Sequence, residues 1–363
     1  MTRRLSLILL LALAVLALFP VWGPLAFSAK YAFLLQKLTG IMILAILAMS
    51  LDLLVGVAGL VSLGHAAFFG LGGYMLAILS PQYEAANVWV ALPATMAVVA
   101  AASAVVGFLA IRTAGIYFIM VTLAFGQMGY YFFNDSKLAG GSDGAYIYVK
   151  PSVEAFGLTL INLENKQAFF FTVLGALVAV YALLRVVLAS PFGRVLAAIG
   201  VNEGRVRGLG FNPTAYKLVA FTIAGALAGL AGFLAATQYG FVSPAMLGWH
   251  QSGHVLVMVI LGGMGTLFGP VLGAFILELA HFGLEAVTEH WLLPMGALVI
   301  AIVLALPKGV AGLLLQWCGT SEALAERGAN EAPEAQRRSQ GSESDRPALE
   351  GQTEPAKKGE GEP

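Results

Sequence analysis

The chain has 363 residues, of which 59% are hydrophobic and 11% charged, and its mean hydropathy is +0.83. Twenty basic residues balance twenty acidic ones, which excludes the strongly basic composition of a nucleic-acid-binding protein. Apolar runs of about 18 to 25 residues recur along the chain, and each is long enough to cross about 30 Å of hydrocarbon as a helix. The composition therefore predicts an all-α, polytopic membrane protein that lies in the lipid bilayer.

Ten apolar segments follow one another, and we predict about ten transmembrane helices, with eight as the lower bound. They form a single transmembrane domain over residues 1–318. The joints at 56–62 and 262–269 are uncharged and rich in glycine, so each either lies at a surface or folds back into the protein. The segments lie near 5–22, 31–54, 63–80, 87–111, 115–133, 168–189, 216–236, 252–264, 268–286 and 291–307.

The N-terminus has two interpretations. Two arginines before an apolar run, with Ala26-Phe27-Ser28 as a cleavage site, are typical of a secretory signal, whereas a polytopic protein also uses its first span as an uncleaved start signal. With an uncleaved N-terminus inside, 15 of the 20 basic residues fall on the cytoplasmic side, as the positive-inside rule favours. We therefore expect both termini in the cytoplasm. Five basic residues then lie outside, namely Lys30, Lys37, Lys137, Lys150 and Lys166.

Two polar regions flank the later spans. Residues 134–167 are too polar to insert and predict an external loop. Residues 319–363 hold ten acidic and six basic residues with almost no large apolar ones, a composition typical of disorder. We predict a disordered cytoplasmic tail that contains no site. The single cysteine, Cys318, cannot form an internal disulfide.

The internal loop at 190–216 carries signals for short helices. Pro191 can start one helix, Asn202 can cap a second, and Glu203 and Arg207 form a favourable i,i+4 pair. A solvated, positive-inside connector explains the charges, whereas the ordered helix boundaries favour a docking surface. Both interpretations are open from the residues alone.

Catalytic motifs are missing from the sequence. It contains no G-x-x-x-x-G-K-[ST] motif, so we predict that the chain does not hydrolyse ATP. His281, Glu285 and His290 do not have the spacing of a zinc protease, and no metal or cofactor is expected. Gly140–Gly144 matches G-x-S-x-G, but this motif requires a strand before it and a helix after it. We therefore predict that the chain is not an enzyme.

Ionisable and polar residues within the apolar segments are candidates for function, because such groups are costly in a membrane without a partner or water. Each also has a structural explanation, as a hydrogen-bonded group or as a residue near an interface. If Asp52, His65 and Glu278 formed a proton relay, the chain would be a proton-coupled secondary carrier. The candidates are Asp52, His65, Gln127, His254 and Glu278.

Several blocks of sequence occur in an order typical of one family. They include GLVSLGHAAFFGLGGY, GIYFIMVTLAFGQ, GGSDG, SPFGRVLAAIGVNE and GFVSPAMLGWHQSGHVLVMVILGGMGTLFGPVLGA, and they extend from about residue 31 to residue 315. In these blocks the chain resembles the LivM-type permease subunit of bacterial branched-chain amino acid importers of the ABC (ATP-binding cassette) class. Some relatives import urea, short amides or aromatic acids, so these solutes are alternatives.

The resemblance implies a bacterial inner-membrane complex. The expected partners are a second homologous permease subunit, two cytoplasmic ATPase subunits and a periplasmic solute-binding protein. The loop at 190–216 becomes the expected ATPase docking element. Gly210 lies where the family's coupling loop has glycine, although Gly204-Arg205-Val206 replaces the usual Glu-Ala-Ala. The expected coupling residues are Arg194, Asn202, Glu203, Arg205, Arg207 and Gly210.

The glycine-rich joints suggest where solute passes. Ser62 is expected to cap the following helix, and Thr266 lies in a comparable joint in the other half of the chain. Internally repeated transporters use two such joints to aim half-helix N-termini at an anionic group, and a carboxylate suits that field. Ordinary turns in a packed bundle are the alternative. The expected path residues are Ser62, Gly64, His65, Gln127 and Thr266.

Overall fold

The structure is a computed structural model that describes residues 3–26, 30–81, 84–136, 140–155, 158–161, 163–306 and 308–317. Most of these residues are helical, which confirms the predicted helical class. The predicted tail at 319–363 and Cys318 lie outside the described residues. The helices are α1 (Arg3–Ala26), α2 (Tyr31–Asp52), α3 (His65–Leu79), α4 (Val88–Ala110), α5 (Ile116–Asp135), α6 (Lys166–Ala189), α7 (Pro191–Val201), α8 (Glu203–Gly208), α9 (Pro213–Tyr239), α10 (Trp249–Gly262), α11 (Gly269–Glu285), α12 (Leu292–Ala305) and α13 (Gly309–Trp317).

Four short strands were not predicted. β1 (Ala145–Tyr146) pairs antiparallel with β4 (Phe241–Val242), so the loop after α5 is joined to the segment after α9. β2 (Val153–Ala155) and β3 (Leu158–Ile161) form an antiparallel hairpin in the same loop. Strands of two to four residues have too little periodicity to be recognised in a sequence, and they depend on their partners for stability.

Five helices of the described residues are long and apolar enough to cross a membrane, and a sixth span results if α12 and α13, which are bent by 45°, count as one. α3 and α10 have only 15 and 14 residues, hence lengths of about 22 and 21 Å, less than the hydrocarbon thickness. All ten predicted segments contain a helix, but the count of ten crossings stays a prediction. The five long spans are Tyr31–Val57, Val88–Ala110, Ile116–Asp135, Lys166–Ala189 and Pro213–Tyr239.

Two 27-residue spans form the centre of the bundle. α2 continues into a π turn (Leu53–Val57). Of the most apolar 18 residues, 83% are buried in α2 with this turn and 67% in α9, but only 22 to 28% in α4, α5 and α6. Small residues allow close contact with α9, since a Cβ on Gly72 of α3 would overlap the backbone of Gly229. Gly225 likewise lies against Ser103 of α4. The chain thus forms a tight bundle around α2 and α9.

Candidate translocation site and coupling loop

The two central helices end in the same way. Gly59 follows α2 and its π turn with φ +69°, and Gly240 follows α9 with φ +65°, a backbone conformation that favours glycine. Each glycine begins a similar sequence, GLVS at 59–62 and GFVS at 240–243. A glycine N-cap then precedes a short helix, Gly64 before α3 and Gly248 before α10. The two halves of the chain therefore contain equivalent breaks, and the counterpart of the first break is the segment 240–248.

The short helices that follow the breaks meet at their N-terminal ends. The backbone N–H of Ala66, in the first turn of α3, donates to the hydroxyl of Ser252, in the first turn of α10, at 2.9 Å. Ser252 is buried. Because the N-terminal end of a helix carries partial positive charge, the two ends together produce a field that favours an anionic group.

The prediction that Ser62 caps α3 is wrong. The helix begins at His65, Gly64 is the N-cap and provides no side chain, and the acceptor for Ala66 comes from Ser252 in another helix. The buried hydroxyl of Ser62 has no hydrogen-bond partner in the described part of the chain. It lines a cavity of about 20 Å³, which has room for about one water molecule.

His65 is held by α2. Its Nε2 lies 2.8 Å from the hydroxyl of Ser50, which in turn lies 2.7 Å from the carbonyl oxygen of Leu47. If the serine donates its one proton to that carbonyl, Nε2 must carry the imidazole proton and Nδ1 is an acceptor. Nδ1 has no partner among the described residues. The hydrogen bond that formed the structural explanation for His65 is therefore present, and the second ring nitrogen is buried inside the bundle.

α5 closes one side of this site. A Cβ on Gly64 would overlap the carbonyl oxygen of Thr122, and a Cβ on Gly126 would lie 3.2 Å from the Cα of Gly64. Thr122 and Gly126 also line the small cavity. Gln127, next along α5, is half-buried and its Nε2 lacks a partner within the described residues. The start of α3 thus lies in backbone contact with α5, well inside the bundle.

Thr266 lies apart from the other expected path residues. Its hydroxyl donates to the carbonyl of Gly263 at 2.8 Å, and it lines a separate cleft of about 330 Å³. The turn that contains it is tied to α2, since the N–H of Gly265 donates to Oδ1 of Asp52 at 2.8 Å. Asp52 is fully buried within the protein. The joint 262–269 therefore contacts the end of α2 and is not equivalent to the first break.

Ser50 and Ser252, which hold the start of α3, are not among the residues predicted from the sequence. A signal for Ser252 was present in the sequence. The repeated GxVS tetrapeptides and the similar LGH at 63–65 and LGWH at 247–250 align the two short helices. The two short helices are recognised as a pair only when the two halves of the chain are aligned at the breaks after α2 and α9. An alignment of the glycine-rich joints does not pair them.

The loop at 190–216, the candidate coupling loop, has the predicted local structure. α7 begins at Pro191, and the side chain of Asn202 caps α8 by accepting from the N–H of Arg205 at 3.0 Å. Glu203 contacts Arg207 at 2.8 Å and also Lys217 of α9 at 2.5 Å. The predicted helix start, cap and ion pair are confirmed, and the second ion pair fastens α8 to the membrane helix.

The loop lies directly beneath the first break. A Cβ on Gly200 of α7 would overlap the carbonyl oxygen of Val57 in the π turn, and Gly59 lies beside Gly200. On its outer side the loop exposes Val201 and Leu209, whose exposed fractions are 88% and 76%. The same loop also carries three exposed cations. They are Arg194, Arg205 and Arg207, and Gly210 follows them with φ +88°.

Polar residues of α10 and α11 form a looser group. His254 Nε2 lies 3.7 Å from Glu278 Oε1, and His281 lies 4.0 Å from Glu285. No group of three or more metal ligands occurs in the part of the chain that the structure describes.

Comparison with known proteins identifies the family. Residues 33–306 match the family model described as the permease component of the branched-chain amino acid transport system. The high-affinity branched-chain amino acid permease protein LivM of Salmonella typhimurium strain LT2 is 34% identical over 290 residues, 74% of this chain and 68% of that protein. LivM of Escherichia coli K12 is 33% identical over the same length and shares.

A more distant relative covers less of the chain. The autoinducer 2 import permease LsrC of Photorhabdus laumondii is 33% identical over 119 residues, 30% of this chain and 34% of that protein. No solved structure matches. The matches to the family model and to LivM confirm the resemblance found in the sequence, and the chain belongs to the family of permease components of branched-chain amino acid transport systems.

Proposed function

We propose that the chain is the permease subunit of an ABC importer in the bacterial inner membrane. It forms a complex with a second homologous permease and two cytoplasmic ATPases. This complex imports branched-chain amino acids that a periplasmic binding protein delivers. Both termini face the cytoplasm in this proposal. The family membership and the five long apolar helices support the assignment.

The solute passes where α3 and α10 meet. The contact between Ala66 and Ser252 is the observation that carries this proposal, because it brings two helix N-termini together inside the bundle. Their field favours the carboxylate of an amino acid, and His65 Nδ1 can accept from its ammonium group. The adjoining cavity holds about one water, so passage requires α3 and α5 to separate.

Coupling acts through α7 and α8. ATP-driven closure of the ATPase subunits moves this loop, and the contact between Gly200 and Val57 passes the displacement to the break before α3. The apolar and basic outer surface of the loop supports docking on another protein.

The test is Ser252→Ala in the reconstituted complex. The variant leaves the N–H of Ala66 without its acceptor, at a cost of about 1–3 kcal/mol, and displaces the start of α3. We expect binding-protein-dependent leucine uptake to fall at least tenfold while the complex still assembles. Thr237→Ala is the control, because its buried hydroxyl bonds the carbonyl of Phe233 in its own helix. Normal uptake by Ser252→Ala would place the path elsewhere.

The same preparation tests the other class of function. Uptake driven by a pH gradient, without ATPase subunits or binding protein, would favour a proton-coupled carrier and overturn the importer assignment.

A further inference from the structure

A second pocket lies at the opposite end of the bundle from the coupling loop. It is where α2 and α6 begin and α9 ends, and the loop before α6 contributes Lys150. Its volume is about 100 Å³, compared with about 20 Å³ for the cavity beside Ser62. Leu35 and Phe169, both buried, form apolar walls. The pocket is therefore large enough for a small polar head group.

Positive charge is concentrated at this pocket. Lys150 and Lys166 both line it, and the Lys150 ammonium lies 6.0 Å from the centre of the Phe169 ring. Lys166 is also the first residue of the 24-residue helix α6, whose N-terminal end adds partial positive charge. Burial and the like charge of Lys166 lower the pKa of Lys150, while Glu164 acts in the opposite direction. An oxyanion would relieve the repulsion between the two lysines.

A buried amide in the same pocket lacks a donor. Gln238 is 8% exposed, and its Nε2 donates to the carbonyl oxygen of Gln36 at 2.7 Å. That bond defines which end of the amide is nitrogen and leaves Oε1 as an acceptor. Oε1 has no hydrogen-bond partner within the described residues. The pocket thus provides two cations for an oxyanion and one acceptor for an N–H or O–H donor.

We propose that this pocket binds a zwitterionic head group, in which an oxyanion contacts Lys150 and Lys166 and a neighbouring ammonium donates to Gln238 Oε1. A free amino acid has this chemistry, and so does the head of phosphatidylethanolamine. If the ligand is a free amino acid, the proposal rests on the proposed function. The pocket is then a second binding site for the solute, separate from the junction of α3 and α10, and the side chain of the solute contacts the apolar walls.

The experiment measures binding of radiolabelled L-leucine to the whole complex in nanodiscs of phosphatidylcholine, whose choline group has no N–H to donate. Lys150→Gln combined with Lys166→Gln should weaken the saturable component at least about tenfold. Lys37→Gln is the matched control, since Lys37 is an exposed lysine of α2 outside the pocket. Both 4-methylpentanoate, which lacks the ammonium, and isopentylamine, which lacks the carboxylate, should compete poorly.

The pH dependence provides an independent measurement. A lysine binds an oxyanion only while protonated, so wild-type binding should decline as the pH rises through the lowered pKa of Lys150. Lys150→Arg stays charged, because arginine does not deprotonate in proteins, and should bind up to a higher pH. Identical pH profiles for the two proteins would remove Lys150 from the site.

The outcomes separate this pocket from the importer assignment. Undiminished leucine binding by the double lysine variant, with normal uptake, would overturn the free-amino-acid form and leave the importer function intact. A second arm measures retention of labelled phosphatidylethanolamine through purification. Retention that is lost in the double variant would assign the pocket to the lipid head, and loss of neither ligand would overturn the proposal.

Discussion

Reversing two charges on the coupling loop tests the proposed docking surface. In the double variant Arg205→Glu and Arg207→Glu, the 2.8 Å pair between Arg207 and Glu203 is lost, and a like-charged pair at i,i+4 replaces it. Arg207 is largely exposed, with 66% of its side chain accessible, so each effect amounts to about 0.2–0.5 kcal/mol and the sum is below about 1 kcal/mol. Lys217 still pairs with Glu203 at 2.5 Å and holds α8 against α9.

The fold should therefore survive, since domains are stable by about 5–15 kcal/mol. Docking should not survive, because two acidic groups would replace two cations at the centre of the contact. We expect the variant to be inserted normally but to lose ATPase co-purification, binding-protein-stimulated ATP hydrolysis and uptake together. Lys30→Glu, an exposed charge reversal at the other end of the bundle, should leave all three unchanged.

Full stimulation and uptake in the double variant would refute the docking assignment. The turn near Arg112, which joins α4 and α5 at the same end of the bundle, would then be the next element to test. If the double variant were instead less abundant in the membrane, the small loss of stability expected from the exposed ion pair would be contradicted.

Two further predictions follow from the same structure. For the topology, single cysteines replace the exposed residues Ser142 and Val201 in a Cys318→Ser background. The cysteine at 142 should be labelled from the periplasm and the cysteine at 201 from the cytoplasm. Labelling of position 201 from the periplasm would show that the orientation is the reverse. For the helix junction, Gly64→Ala should abolish uptake or assembly because its Cβ overlaps the α5 backbone, whereas Gly175→Ala, with open space around it, should transport normally. Comparable uptake by both glycine variants would contradict the close contact of α3 with α5.

Local features of this chain were readable from its residues. Long apolar runs must be helical in lipid, since only a helix satisfies its own backbone hydrogen bonds there. The cap at Asn202 and the pair of Glu203 with Arg207 join residues three and four positions apart, so their chemistry is visible in the spacing. The family blocks extended this reading to the permease assignment.

Contacts between distant residues required the folded chain. Ala66 bonds Ser252 across 186 positions and Asp52 bonds Gly265 across 213, and each contact depends on how whole helices pack. Ser62 is the instructive error, because its spacing suits a cap but the backbone between it and α3 does not bring it there. Hydropathy and local propensity report on a residue's own neighbourhood in the sequence. The meeting of two helix ends inside the bundle results from glycine-mediated close packing, which no single segment specifies.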